Sequence, residues 1–262
     1  MFFVLNKQKI YTYMVSAVMV LFLFCAASTF NVNEKKDNTI QTSSTSSKLL
    51  PIYNVQTDEN KVAFTMNCAW NAEDIDKIIE TLKNNKVKIT FFMVGDWIDK
   101  YPEATKKIND AGHEIASHSN THPHVNNLSY EENIKEIEES NKKIENITGK
   151  KTNIYRPPYG EYNDNVIKAA TDKGYYSIQW NLDTLDYTGL TGEEMWKRLD
   201  EKIKSGDIIL SHNGTKHTAD SLDMLMKNIK GKGLEIVPIS ELIYKNSYTI
   251  NSSGTQIKNN IT

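Results

Sequence analysis

Between residues 61 and 238 the chain alternates short β-branched and aromatic runs with longer segments whose apolar residues recur every three or four positions. The short runs are Lys61–Asn67, Lys88–Val94, Glu114–Ser117, Asn153–Arg156, Tyr175–Leu182, Asp207–Ser211 and Glu235–Pro238. Ile75, Ile78, Ile79 and Leu82 make the apolar face of the first helical segment; Ile134, Ile137, Ile144 and Ile147 line another. That second segment opens with Ser129 and Glu132 at capping-box spacing, and Thr191 and Glu194 repeat the spacing ahead of Trp196, Leu199 and Ile203. Seven strands alternating with six helices predict parallel βα units, either a doubly wound sheet or an α/β barrel. No internal repeat is visible.

The flanks differ from this core. Lys7 and Lys9 precede an apolar run from about Tyr11 to Ala27, which ends on the small residues Ala26, Ala27 and Ser28. Residues 1–30 therefore read as a signal peptide or as an uncleaved single-span anchor, and both stay open. Either places the rest of the chain outside the cytoplasm, secreted to the cell wall or held at the membrane. Residues 31–50 are polar and without period, as expected of a flexible linker. Residues 246–262, rich in asparagine and serine, read as a disordered tail, which leaves 51–245 as the working domain. A net charge of −2 with no basic block gives no footprint for nucleic acid, and two cysteines, Cys25 and Cys68, make no disulfide framework.

In either fold the chemistry sits at the carboxyl ends of the strands, and the distinctive polar residues fall there. Asn67 and Cys68 end the first run, His118 and His122 follow the third, and Arg156 ends the fourth. Asp183 and Asp186 follow the fifth, and His212 ends the sixth. His118 and His122, in HSNTH, are spaced so that two imidazoles reach one metal ion, or form a hydrogen-bonded surface pair. In RPPYG, Arg156–Gly160, two prolines lack N–H groups, so the first free backbone donor after Arg156 is that of Tyr159. Such a loop suits an oxyanion hole, or is a rigid turn with a structural arginine. Arg156, one of only two arginines, has the geometry to hold a carboxylate bidentately. In DTLDY, Asp183 or Asp186 is placed to orient His212, which would then act as a general acid.

HSNTH, RPPYG, DTLDY and the LSH ending at His212, in this order, resemble the polysaccharide deacetylases, the NodB-homology domains of carbohydrate esterase family 4. TFFMVG at Thr90–Gly95, GHEIASH at Gly112–His118 and ISEL at Ile239–Leu242 look like the same family, and most like its PdaB-like, sporulation-associated branch. The resemblance covers about residues 60–245. It implies a distorted (β/α) barrel and a divalent metal, often zinc, as cofactor. It implies hydrolysis of acetyl groups on peptidoglycan, chitin-like or related glycans, by a monomer whose partner is acetylated cell-wall glycan. Carried over, His118 and His122 would ligate the metal, Arg156 would hold the base, and the Tyr159 N–H would bind the oxyanion. Asp186 would tune His212 as general acid, with Tyr187 and Leu210 walling the acetyl group.

The first family motif is Thr-Phe-Asp-Asp, with a general base and then a metal ligand. Here it reads Thr65-Met66-Asn67-Cys68. An amide takes no proton at neutral pH, so Asn67 occupies the base position without being a base. Cys68 is either a thiolate ligand completing a Cys/His/His zinc site or a buried small hydrophobe. The favoured expectation is a metal-dependent de-N-acetylase in which Asp183, Asp186 or a metal-bound hydroxide covers for the missing base. The alternative is a catalytically impaired glycan-binding protein of the cell envelope.

Overall fold

The computed structural model describes residues 48–259; the expected export or anchor segment with Cys25, and nearly all of the linker, lie outside these. Among the described residues no helix is long and apolar enough to cross a membrane. The strands are Asn54–Gln56 (β1), Lys61–Cys68 (β2), Thr90–Met93 (β3), Glu114–Ser117 (β4), Ile154–Tyr155 (β5) and Tyr176–Ser177 (β6). Leu182–Asp183 (β7), Ile208–His212 (β8), Glu235–Ile236 (β9), Tyr248–Ile250 (β10) and Thr255–Lys258 (β11) follow. The helices are Ile75–Asn84 (α1), Gly95–Lys100 (α2), Pro102–Asp110 (α3), Tyr130–Thr148 (α4), Asp164–Asp172 (α5), Gly192–Leu199 (α6), Thr218–Gly231 (α7) and Ile239–Leu242 (α8).

The main sheet runs β6-β5-β4-β3-β2-β8-β7, with β9 added against β2, and every pairing in it is parallel. The single run expected over Tyr175–Leu182 divides in two. Its halves, β6 and β7, lie at opposite edges of the sheet, and residues 178–181 join them. Ile52 pairs into that crossing: the Gln179 N–H donates to its carbonyl, and the Asn181 N–H donates to Ile208. The edges are thereby drawn toward each other, which makes the curled half-barrel of a NodB-type (β/α) fold.

Side-chain alternation on β2 sorts the core. Val62, Phe64, Met66 and Cys68 face outward to the helices, packing with Ile75, Ile78 and Leu82 of α1 and Leu222 and Leu225 of α7. Ala63 belongs to the cluster inside the curl, with Phe92, Ala116 and Ile208. Thr65 and Asn67 share the parity of Ala63, and Asn67 reaches the mouth of the curl. Both expected capping boxes are present, at Ser129 and Glu132 on α4 and at Thr191 and Glu194 on α6. The buried face of α4 departs from its isoleucine pattern: Asn133, Ser140 and Asn141 are buried with Ile137 and Ile144, and Ile134 is half-buried.

The expected disordered tail is corrected over residues 246–259. Here β10 and β11 form a hairpin whose second strand pairs in parallel with β1. Polar composition concealed specific fastenings. Gln256 is buried, its Oε1 accepting from the Tyr244 N–H and its Nε2 donating to the Tyr244 carbonyl. Gly254, at φ 80, packs so tightly on Tyr53 that a Cβ would lie 2.3 Å from the ring.

Candidate functional site

The strand ends converge on a cavity of about 640 Å³ whose lining includes Asn67, His118, His122, Tyr159, Asp183, Tyr187, Leu210 and His212. Beneath it lies Arg156, fully buried at the end of β5. Its Nη1 donates to Thr65 Oγ1 and to Asn67 Oδ1, both at 2.9 Å, and its Nη2 donates to the Gln179 carbonyl at 3.2 Å. The Nε–H has no partner among the described residues. The guanidinium lies 3.9 Å from the centre of the Phe92 ring. Burial pushes the Arg156 pKa well below its ordinary value, and Asp183 pulls it back upward. A carboxylate at position 67 would have neutralised this cation; the amide only hydrogen-bonds to it.

The arginine also fixes which way the amide faces. With Oδ1 held by Arg156, Asn67 Nδ2 lies 3.2 Å from His118 Nε2. His118 Nδ1 donates to the Arg156 carbonyl at 2.8 Å, so the proton is on Nδ1 and the lone pair on Nε2. The Asn67 N–H therefore points at the one lone pair with which His118 would bind a metal. Burial, then the neighbouring His122, pushes the His118 pKa well below the ordinary histidine value and keeps the ring neutral.

Loop geometry delivers the second histidine. The His118 and His122 rings lie 4.8 Å apart, edge to face, so the structure brings the pair together. The turn between them needs left-handed backbone at Ser119 (φ 71) and His122 (φ 59). Glu136 of α4, which sequence reasoning missed, clasps that turn: it accepts from the Ser119 hydroxyl, the Asn120 and Thr121 N–H groups and the Thr121 hydroxyl. Of the six non-glycine residues with positive φ among the described residues, His122 and Tyr159 (φ 58) line the cavity, and Ser119 and Leu185 (φ 52) adjoin His118 and Asp186 in the chain. Backbone strain is thus concentrated where side chains must be aimed. Gly160, at φ 69, lets RPPYG lie against Trp180, where a Cβ would approach the indole to 3.1 Å.

On the other side His212 is locked to Asp186. Its Nδ1–H donates to Asp186 Oδ1 at 2.9 Å, and its backbone N–H donates to Oδ2 at 2.7 Å. Thr218 at the start of α7 and the Tyr187 N–H complete four bonds to this fully buried carboxylate. Thr218 carried no signal in the sequence. Nε2 is left as the His212 ring atom available to a ligand. Asp183 makes no hydrogen bond to His212, whose ring is held by Asp186. Asp183 Oδ1 accepts from the Leu185 N–H, and burial raises its pKa above the ordinary carboxylate range.

The expected zinc set is not assembled. Cys68 has the parity of Met66, so it packs in the core and does not line the cavity. Burial, with Asp74 second, pushes its thiol pKa well above the ordinary value, the reverse of what a thiolate ligand requires. Among the described residues no group of three or more His, Cys, Asp or Glu side chains is placed to hold a metal ion. The residues present do not fit the cofactor that the family motifs imply: one ligand is in the core, and the lone pair of another accepts an amide proton.

Comparison with known proteins matches this geometry. The sequence profile of the polysaccharide deacetylase family matches residues 54–178. YlxY, an uncharacterized protein of Bacillus subtilis, is 35% identical over 74% of this chain and 60% of its own length. The peptidoglycan-N-acetylglucosamine deacetylase of Bacillus cereus is 29% identical over 70% of this chain and 68% of its own. The chain thus spans about 60–68% of the length of these curated relatives. Among solved structures, a mutant of BA3943, a CE4 family pseudoenzyme with restored enzymatic activity, superposes with a TM-score of 0.71 at 34% identity. The match covers 74% of this chain and 71% of that one; the wild-type BA3943 structure is from Bacillus anthracis. With its motifs, its curled parallel sheet and this likeness in agreement, the chain belongs to the polysaccharide deacetylases of carbohydrate esterase family 4.

Proposed function

We propose that this protein binds acetylated peptidoglycan-type glycan in the cavity at the strand ends and does not deacetylate it at a rate useful to the cell. The observation that carries this reading is the Asn67 amide, bridged between Arg156 and His118. It stands where a base would take a proton, and its N–H fills the lone pair a metal would take. Loss of a positioned base alone typically costs about 10²–10⁴ in rate. Support also comes from the relatives: one acts on peptidoglycan N-acetylglucosamine, and another is a pseudoenzyme whose mutant has restored activity. Export or anchoring through residues 1–30 and work as a monomer on the cell wall belong to the same proposal.

One observation favours a second reading, slow deacetylation. The Asp186–His212 pair is complete, with His212 at the cavity and Asp186 bonded on both oxygens. Co-sedimentation with insoluble peptidoglycan, with acetate assayed in the same tubes, separates the two. Binding without acetate is expected. Acetate release at many turnovers per hour would replace the first reading by the second, and failure to sediment would remove both.

A further inference from the structure

Four large apolar side chains are exposed among the described residues, and three of them, Trp70, Tyr159 and Tyr187, ring the one cavity. Isolated exposed aromatics are ordinary, whereas clustering at a cavity mouth marks a binding surface. Tyr159 and Tyr187 belong to motifs already assigned to the acetyl site. Trp70 belongs to none. It is 48% exposed and lies over His212, ring centres 5.3 Å apart at an interplanar angle of 35°. Tyr187 meets the same imidazole edge-on at 5.4 Å.

The loop that carries Trp70 is fastened. The Asn71 carbonyl accepts from the Trp97 indole N–H at 3.2 Å and from the Asn213 side chain. Asn71 Oδ1 accepts from the Glu73 N–H, and Ala69 packs against the core. The indole is therefore held out to solvent by its surroundings. An open aromatic face beside a cavity lined by carboxylate, imidazole and hydroxyl groups matches one kind of ligand closely. A pyranose ring carries apolar C–H faces and a polar rim, so it stacks by its face and hydrogen-bonds by its edge.

We propose that Trp70 is a sugar-stacking residue that receives the ring adjoining the one whose acetamide enters the cavity. The indole lies over His212 and lines the same cavity as Asn67 and His118 without belonging to their hydrogen-bonded set. This rests on the glycan-binding reading and adds a length requirement. Trp70 contributes to binding of oligosaccharides and contributes nothing to binding of a single N-acetylglucosamine.

The test compares wild type, Trp70→Ala and Trp70→Phe by calorimetric titration with N-acetylglucosamine and its β-1,4-linked tetramer, with tryptophan fluorescence recorded alongside. Wild type is expected to bind the tetramer more tightly than the monosaccharide, with a change in indole emission. Trp70→Ala should weaken the tetramer roughly five- to tenfold, leave the monosaccharide unchanged and lose that emission change, while Trp70→Phe keeps most of the affinity. Equal tetramer affinity in wild type and Trp70→Ala, at unchanged melting temperature, overturns the role of Trp70 and leaves the glycan-binding reading standing. Equal weakening of monosaccharide and tetramer overturns the assignment to an adjoining ring. Failure of the wild type to bind either sugar overturns both this inference and the reading beneath it.

Discussion

Replacing Asn67 by aspartate tests the wiring of the site, because it returns a counter-charge to a buried cation. Arg156 Nη1 lies 2.9 Å from Asn67 Oδ1, so a carboxylate oxygen there needs no movement to pair. With charge centres about 4 Å apart and an effective dielectric constant near 20, the attraction is about 4 kcal/mol. Supplying the missing half of a buried pair is the reverse of breaking one, which costs about 3–5 kcal/mol with the added group's desolvation already included; against it, the amide's bond to Arg156 and the donor to His118 Nε2 are lost at about 1 kcal/mol each. Arg156 is buried in both proteins, so its own desolvation cancels in the comparison. A net gain of about 1–3 kcal/mol at pH 7 is expected, since an unpaired buried charge is the costly case. For a domain of this size that is a rise in Tm of about 2–10 °C. Beside Arg156 the aspartate pKa falls below its ordinary value. The gain is therefore fully present above about pH 4 and lost as pH drops through the depressed value. Thermal melts of both proteins at pH 7 and 5 read it out, with acetate release assayed in parallel. An unchanged or lower Tm at both pH values would refute the reasoning, showing that Arg156 lacks no counter-charge.

Other expectations follow from the same contacts. Asp186→Ala strands two donors of His212, the Tyr187 N–H and the Thr218 hydroxyl; it should cost roughly 3–5 kcal/mol in urea unfolding, and a cost within about 1 kcal/mol would contradict its role as the anchor of His212. Glu136→Ala should cost about 2–3 kcal/mol and speed hydrogen exchange at Asn120 and Thr121, whose N–H groups it accepts. Burial works to raise the Glu136 pKa, but bonds from Ser119, Thr121 and Asn120 outweigh it and the net shift is downward. The clasp should therefore hold above about pH 4 and release as pH falls through the lowered value. His113, buried and accepting from the Ile89 N–H, has its pKa lowered to about 4 by burial and then Lys88. Its contribution is complete above the unfolded value and lost as pH falls from about 6.5 to 4, up to roughly 3 kcal/mol. His113→Gln should flatten that part of the stability–pH curve, and an unaltered slope would contradict the assignment.

The parts of the site that were legible in the sequence are those fixed by strand ends. His118, Arg156, Asp183 and His212 stand at or just after strand termini, and parallel topology brings them to one rim whatever the loops do. Of the two readings of Cys68 the buried one holds, for a reason present in the sequence. Adjacent residues on a strand face opposite sides, so with Asn67 at the cavity Cys68 belongs to the helix-facing core. Glu136 and Thr218 were illegible, because nothing in a helical heptad tells which surface carboxylate or hydroxyl folds back on a distant loop. The hairpin at 248–258 was hidden by its polar residues, since Gln256 is buried through paired hydrogen bonds that composition cannot reveal. The split of residues 175–182 was hidden similarly: continuous β propensity gives no sign that the chain crosses between sheet edges there.

The central claim is that the Asn67 amide proton holds the lone pair of His118 that a metal would need. Zinc bound per chain, measured on wild type and His118→Ala after equilibration with zinc and removal of excess, tests it most directly. Substoichiometric zinc, the same in both proteins, is the expected result. One zinc per chain in wild type, lost in His118→Ala, would contradict it.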